Sequence, residues 1–419
     1  MRLTLTCAPV AVVREIPNLV VTEREHALPL DHGDPSGERI VVFSREVADP
    51  EGRERPLLVY FEGGPGFEAP RPSRTGGSPP WLERALKDFR VLLLDQRGTG
   101  RSTPVGSALP GTPAEQAAYL SFFRADSIVA DAEAIRAELG VERWSVLGQS
   151  FGGFCALRYL SAAPGSLREV LFTGGVPPVG TPVDDVYRAT FARMRERCER
   201  YFRRYPDDRE RVLALLGRAA EGTITLPDGD PLTPGRVRQL GHALGMSDGF
   251  ERLHYLLELP FDSPAFLNDA EDLTSFARNP IYAVLHEACW ADGGTTAWSA
   301  QRVLEDLSEP DPAFLTAEHI FPWMFDAPSL SPLGEAADLL AAREWPRLYD
   351  PQALARNEVP AAAIVYSEDV YVERAFSEIT AAAVPGLRLW LTSEYDHDGL
   401  RKDGERVLGR LLDLTRGRL

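Results

Sequence analysis

Lysine is nearly absent from this chain. Of 45 basic residues only Lys87 and Lys402 are lysines, and 62 acidic residues outnumber the basic set. The formal charge of −17 repels phosphate backbones and argues against nucleic acid as a partner of the whole protein. Cysteine is equally scarce. The four cysteines (Cys7, Cys155, Cys198 and Cys289) include no C-x-x-C pair, which points to buried free thiols rather than disulfide staples or a zinc site. The seven histidines show no H-x-x-x-H spacing, so no metal centre is expected. Long apolar runs are missing too, none approaching the ~20 residues that span a bilayer. The apolar stretch after Arg2 is interrupted by Pro9 and ended by Arg14 and Glu15, without a small-x-small cleavage site. It reads as the start of a cytoplasmic protein.

What remains is a globular composition, with 44% hydrophobic and 9% aromatic residues over 419 positions. That excludes disorder and suffices for a large core or two domains. Asn18 to Leu28 and Arg39 to Val47 are β-rich and flank the turn-like Asp31-His32-Gly33-Asp34-Pro35, which predicts an antiparallel pair. The pattern then changes. Leu57 to Phe61, Val91 to Leu94, Trp144 to Leu147 and Val170 to Phe172 are continuous apolar runs, as expected of strands buried on both faces of a parallel sheet. Helical periodicity lies between them, clearest from Asp126 to Leu139, where Asp126 or Ser127 can cap the start. From about Pro178 helical segments replace the strands for some 175 residues, among them Asp185 to Tyr205, Arg236 to Leu244 and Ser299 to Leu307. Strand patterns return at Ala361 to Tyr366 and Leu387 to Leu391, and Arg401 to Leu414 reads as a closing helix. The expected architecture is α/β, a mostly parallel sheet flanked by helices: a core in two parts, 1–177 and 353–419, with a helical cap, 178–352, inserted between them.

Gly148-Gln149-Ser150-Phe151-Gly152 fits G-x-S-x-G. The pattern alone is weak, but here a buried strand precedes it and an apolar helix follows, the context of a nucleophile elbow. Such a turn projects the Ser150 hydroxyl above the sheet and sets the helix N-terminus beneath a developing oxyanion. A serine nucleophile needs a base, and the base an orienting acid. His397 is the only histidine after the insertion and follows a late strand. For the acid, Asp369 lies three residues beyond the strand ending at Tyr366, with Glu368 its rival and Asp350 a distant one. The oxyanion hole is expected from the N–H of Phe151 and from the glycine loop Glu62-Gly63-Gly64-Pro65-Gly66. No Gly-Lys-Ser/Thr follows that loop, which argues against a phosphate loop. Asp95 to Ser102 reads as a structural loop supporting the site.

Gly63-Gly64-Pro65-Gly66, Asp95 to Ser102 and Gly148 to Gly153, in that order, resemble the proline iminopeptidases, serine peptidases of the α/β-hydrolase superfamily. The longer bacterial form with an enlarged cap is the best match. Phe123 to Ile128, Trp298 to Arg302 and Tyr395 to Arg401 support the resemblance, which covers nearly the whole chain. It implies an α/β-hydrolase fold and release of N-terminal proline from peptides. Ser150, Asp369 and His397 would form the triad, a covalent prolyl ester the intermediate, and no cofactor is implied. A related aminopeptidase, esterase or amidase with another acyl preference is the alternative. Glu62 departs from the His or Gln that many relatives carry there, which bears on substrate preference rather than class. In relatives cap carboxylates hold the substrate's cationic imino group, and Glu287 and Glu258 are the candidates here. Trp290, Trp323 and Phe325 are open between walling a proline ring and filling cap core. From Gly241 to Glu335 the chain carries 16 acidic residues against three arginines, a field that favours positively charged peptide ends.

Overall fold

The computed structural model describes residues 11–307 and 311–419. Cys7 and the apolar stretch from Arg2 to Pro9 lie outside these residues. Three strands, β1 (Val12–Ile16), β2 (Leu19–Pro29) and β3 (Arg39–Ala48), form an antiparallel meander. The expected pair is thus β2 and β3, with Leu28 opposite Ile40. The following strands are β4 (Leu57–Phe61), β5 (Arg90–Asp95), β6 (Trp144–Gln149), β7 (Leu167–Thr173), β8 (Ala361–Tyr366) and β9 (Leu387–Thr392). They run parallel, and the whole sheet has the order β1-β2-β3-β5-β4-β6-β7-β8-β9. Among the described residues the only antiparallel contact to this parallel part is β3 on β5.

The period-2 alternation of a strand explains how continuous apolar runs fill two cores. Leu57, Val59 and Phe61 of β4 point to the face covered by the helices Ala125–Glu138 and Phe151–Ala162, while Leu58 and Tyr60 point to the other. There they meet Trp81, Leu408 and Leu412. Both faces are covered, so no polar residue is needed between the apolar ones. Two helical expectations shift in detail. The helix expected from Asp126 begins at Ala125, after Arg124 and without a side-chain cap, and the closing helix breaks at Asp403 into Gly399–Lys402 and Gly404–Thr415.

No strand of the sheet arises between Thr173 and Ala361 among the described residues. The longest helix of this insertion, Val183–Arg204, buries Val186, Tyr187, Thr190, Phe191, Met194, Cys198 and Tyr201, a stripe of three- and four-residue steps. Acidic Asp184 and Asp185 open it and Arg203 and Arg204 close it, complementing its dipole. The insertion is tied to the core by Arg193, whose guanidinium donates to both oxygens of Glu373 at 3.0 Å, and by Arg197 to Asp396 at 2.7 Å. Among the described residues no helix is long and apolar enough to cross a membrane.

The loop Asp95–Ser102 earns its support role through buried polar contacts. Arg97 Nε and Nη2 donate to Asp131 at 2.7 and 2.6 Å, and Gln96 Nε2 donates to the Glu62 carbonyl at 2.9 Å. Removing one member of a buried ion pair leaves the other uncompensated. Asp131→Ala is therefore expected to lower unfolding free energy by about 3–5 kcal/mol, measured by urea titration.

Candidate active site

Ser150 follows β6 and precedes the helix Phe151–Ala162 with φ 53° and ψ −120°. A non-glycine residue in this region carries roughly 1–3 kcal/mol of strain and persists only where the surroundings force it. The force is a close crossing of backbones. A Cβ on Gly152 would lie 2.0 Å from the Phe61 carbonyl oxygen, and one on Gly148 would lie 2.2 Å from the Gly152 carbonyl. The two flanking glycines thus let β6, β4 and the helix meet closely enough to turn the chain within one residue. The Ser150 N–H is held by the Thr173 carbonyl of β7 at 2.7 Å.

His397 and Asp369 come from the loops after β9 and β8. His397 Nδ1 is 2.7 Å from Asp369 Oδ2, and the other Asp369 oxygen accepts the N–H groups of Tyr371 and Val372 at 2.9 and 3.1 Å. The contact to a carboxylate places the proton on Nδ1 and leaves the Nε2 lone pair available. Among the described residues that buried Nε2 has no hydrogen-bond partner. Burial pulls the imidazole's pKa down, but the charge and hydrogen bond of Asp369 outweigh it and hold the value above that of an ordinary histidine. Gln149, the variable residue of the elbow, donates to the His397 carbonyl at 3.2 Å, and the His397 N–H donates to Gly245 of the insertion at 3.1 Å. The rival acids are engaged elsewhere. Glu368 pairs with Arg200, and Asp350 caps the helix Pro351–Leu354.

Ser150 and His397 line a cavity of about 160 Å³ together with Gly63, Gly64, Phe67 and Gln149. The glycine loop faces the serine directly, since a Cβ on Gly63 would sit 3.1 Å from Ser150 Cβ. Phe151 opens the helix, where first-turn N–H groups lack intrahelical partners. The remaining wall is His242, Met246, Tyr282, Glu318, Tyr371 and Arg401. Burial drives the His242 pKa down to about 4, so this ring is neutral. A larger cavity of about 300 Å³ lies inside the insertion, beside Arg236, Phe276 and Trp323, and does not include Ser150.

The two cap carboxylates chosen from the sequence are not brought to Ser150. Glu258 ends the helix Gly249–Leu257 with its side chain 47% exposed, next to His254 at 3.4 Å. Glu287 is 6% exposed, but its carboxylate accepts the N–H groups of Ser299 and Ala300 at 3.2 and 2.8 Å and so caps the helix Ser299–Asp306. Burial raises its pKa to about 7 against the lowering effect of these bonds. The aromatics also fall elsewhere: Trp290 packs on Phe154 and Phe325 on Trp298, while Trp323 lines the larger cavity.

The carboxylate that does reach the cavity is Glu318, which sequence reasoning missed. It lies outside any helix, 12% exposed, with Oε1 3.5 Å from His286 Nε2 and Oε2 accepting from Tyr282 Oη at 3.3 Å. Burial opposes its charge, yet the neighbouring His286, by charge and hydrogen bond, keeps its pKa below the ordinary value. Its neighbour His319 is locked in place, stacked on Phe191 at 3.9 Å with Nδ1 accepting the Ala317 N–H. No arginine or lysine stands within 4 Å of Glu318 among the described residues. Only the isolated Glu-His pair in Ala317-Glu318-His319-Ile320 could have marked it.

A family model described as the α/β hydrolase fold matches residues 56–267. A proline iminopeptidase of Aeromonas sobria is 48% identical over 93% of this chain and 95% of its own length. Another, from Aspergillus aculeatus, is 34% identical over 95% of this chain and 94% of its own. Among solved structures, esterase E22 superposes with a TM-score of 0.50 at 12% identity, covering 94% of this chain and 100% of that one, a likeness of fold.

The electrostatics give two measurable outcomes. By NMR the His397 imidazole is expected to titrate above an ordinary histidine, and Asp369→Asn to move it down, because the weaker influence of Glu318 is then left to oppose burial. Glu287→Gln replaces one of the two accepting oxygens with an NH2 donor that faces a backbone N–H, so its melting temperature is expected to fall below that of wild type. Glu287→Ala leaves two N–H groups unpaired and is expected to lose about 1–3 kcal/mol.

Proposed function

The chain belongs to the proline iminopeptidase family of α/β hydrolases, and from that premise we propose that Ser150, His397 and Asp369 release N-terminal proline from peptides through a covalent prolyl ester. The observation that carries this reading beyond family membership is Glu318, a carboxylate that faces the nucleophile's cavity with no arginine or lysine beside it among the described residues. A partly dehydrated anion of this kind selects a cation, and the free imino group of an N-terminal proline supplies one. Phe67, Tyr282 and Tyr371 offer apolar walls for the ring.

With the imino group on Glu318, the prolyl carbonyl carbon stands at Ser150. His397 Nε2 takes the Oγ proton as Oγ attacks, and Asp369 stabilises the imidazolium and fixes its tautomer. The oxyanion is received by the N–H groups of Gly64 and Phe151. The scissile C–N bond then breaks as His397 returns the proton to the leaving nitrogen. Water, deprotonated by His397, attacks the ester, releases proline and regenerates Ser150. The helical insertion, 178–352, serves in this reading as a cap that supplies the amine-binding wall.

The test compares prolyl, alanyl and uncharged acyl substrates. Prolyl arylamide is expected to be the best arylamide, and alanyl turnover above prolyl turnover would replace the reading. Ser150→Ala should lose both activity and fluorophosphonate labelling. A charge-assisted contact contributes about 1.5–3 kcal/mol. Glu318→Gln should therefore reduce kcat/KM roughly 10–100-fold more for prolyl arylamide than for p-nitrophenyl acetate.

A further inference from the structure

Among the described residues, Arg401 is the only arginine or lysine lining the cavity that holds Ser150. It follows His397 by four residues, in the short helix Gly399–Lys402, and its side chain is 58% exposed. Its partner among the described residues is Glu62, reached by one guanidinium nitrogen at 3.4 Å. That Glu62 oxygen also accepts the Gly63 N–H at 2.9 Å, and the Glu62 carbonyl is fixed by Gln96. A guanidinium has five N–H donors in a planar fork. One long, single-pronged contact to a shared oxygen leaves most of that fork unengaged, at the mouth of the nucleophile's cavity.

The cavity is therefore bipolar. Glu318 enters from the insertion and is held by Tyr282 and His286; Arg401 enters from the core and is held by Glu62. The two do not pair with each other. Arg401 belongs to the side of the glycine loop, since its anchor Glu62 directly precedes Gly63, which abuts Ser150. That is the side where a substrate carbonyl would meet the oxyanion donors. Consecutive Cα atoms are only 3.80 Å apart, so in a dipeptide the α-carboxylate lies one residue beyond the scissile bond. A zwitterion with its imino group on Glu318 and its carbonyl at Ser150 directs that carboxylate towards the remaining charged wall.

We propose that Arg401 binds the α-carboxylate of the leaving residue, making short zwitterionic peptides, Pro-X dipeptides above all, the preferred substrates. The inference rests on the prolyl-peptidase reading and deepens it. Glu62 is then a positioning residue. It holds Arg401 by one prong while the other donors stay free for a forked contact, the geometry at which arginine exceeds lysine.

The experiment compares kcat/KM for Pro-Gly and Pro-Gly amide, which differ only in the terminal carboxylate. Wild type is expected to prefer Pro-Gly by about tenfold or more, and Arg401→Gln to collapse the preference to about one. Arg401→Lys keeps the charge beside Glu62 without the fork and should fall between the two. Equal values for the two peptides in wild type would overturn the inference even if Arg401→Gln failed to fold. So would an undiminished preference in Arg401→Gln, because a purely structural role lowers both substrates together. Failure to cleave prolyl arylamide at all would instead strike the underlying reading of the site.

Discussion

The turn at Ser150 is the constraint on which the other features depend. A serine at φ 53° is held there because β6, β4 and the following helix cross at distances that admit no side chain on Gly148 or Gly152. The same closeness sets the Gly63–Gly64 loop against the serine and the helix N-terminus below it. The sheet then does the rest of the positioning. His397 and Asp369 follow β9 and β8, neighbours in the sheet, so their loops emerge side by side at the end of the sheet where β6 delivers the serine. Strain at one residue is offset by packing spread over two cores.

The insertion acts on this site through few, specific contacts. Gly245 receives the His397 N–H, His242 accepts from Tyr371 Oη, and Glu318 with Tyr282 and His286 forms one charged wall. Several of its acidic residues are engaged elsewhere, Asp184 with Arg302, Asp208 with Arg211, Glu251 with Arg204 and Asp311 with Arg209. The contrast between Glu287 and Glu318 shows why. Both are poorly exposed glutamates, but Glu287 has its oxygens filled by backbone donors, and burial pushes its pKa up to about 7. Glu318 touches His286 and Tyr282, which leaves its pKa below the ordinary value, and it opens onto the cavity. Burial alone does not distinguish a binding carboxylate from a capping one; the partner set does.

Much of this was legible in the chain alone. Strands buried on both faces have no alternative to continuous apolar runs, so β4 to β8 and the α/β class could be read directly. The elbow glycines, Ser150 and the chain order of acid and base are local features, and Asp369 and His397 do sit in hydrogen-bond contact. The relatives carry the same family assignment along almost the full chain. Helix ends were less legible because caps depend on side-chain contacts: Asp126 was a plausible cap, yet the helix starts one residue earlier.

What the sequence by itself determined is therefore the scaffold, the elbow that carries Ser150 and the class, since these follow from short-range periodicity and from a turn that only small residues permit. Tertiary structure decided which charges face the cavity that holds Ser150. Glu318 and Arg401 lie 83 positions apart in the numbering, in segments with no shared period or motif, and only the docking of the insertion on the core brings both to one cavity. A carboxylate's role depends on its surroundings in space, and spacing along the chain does not encode them. The scarcity of lysine gains a meaning in the same way. In a chain whose cations are almost all arginines, the one that reaches the cavity is a forked donor suited to a carboxylate.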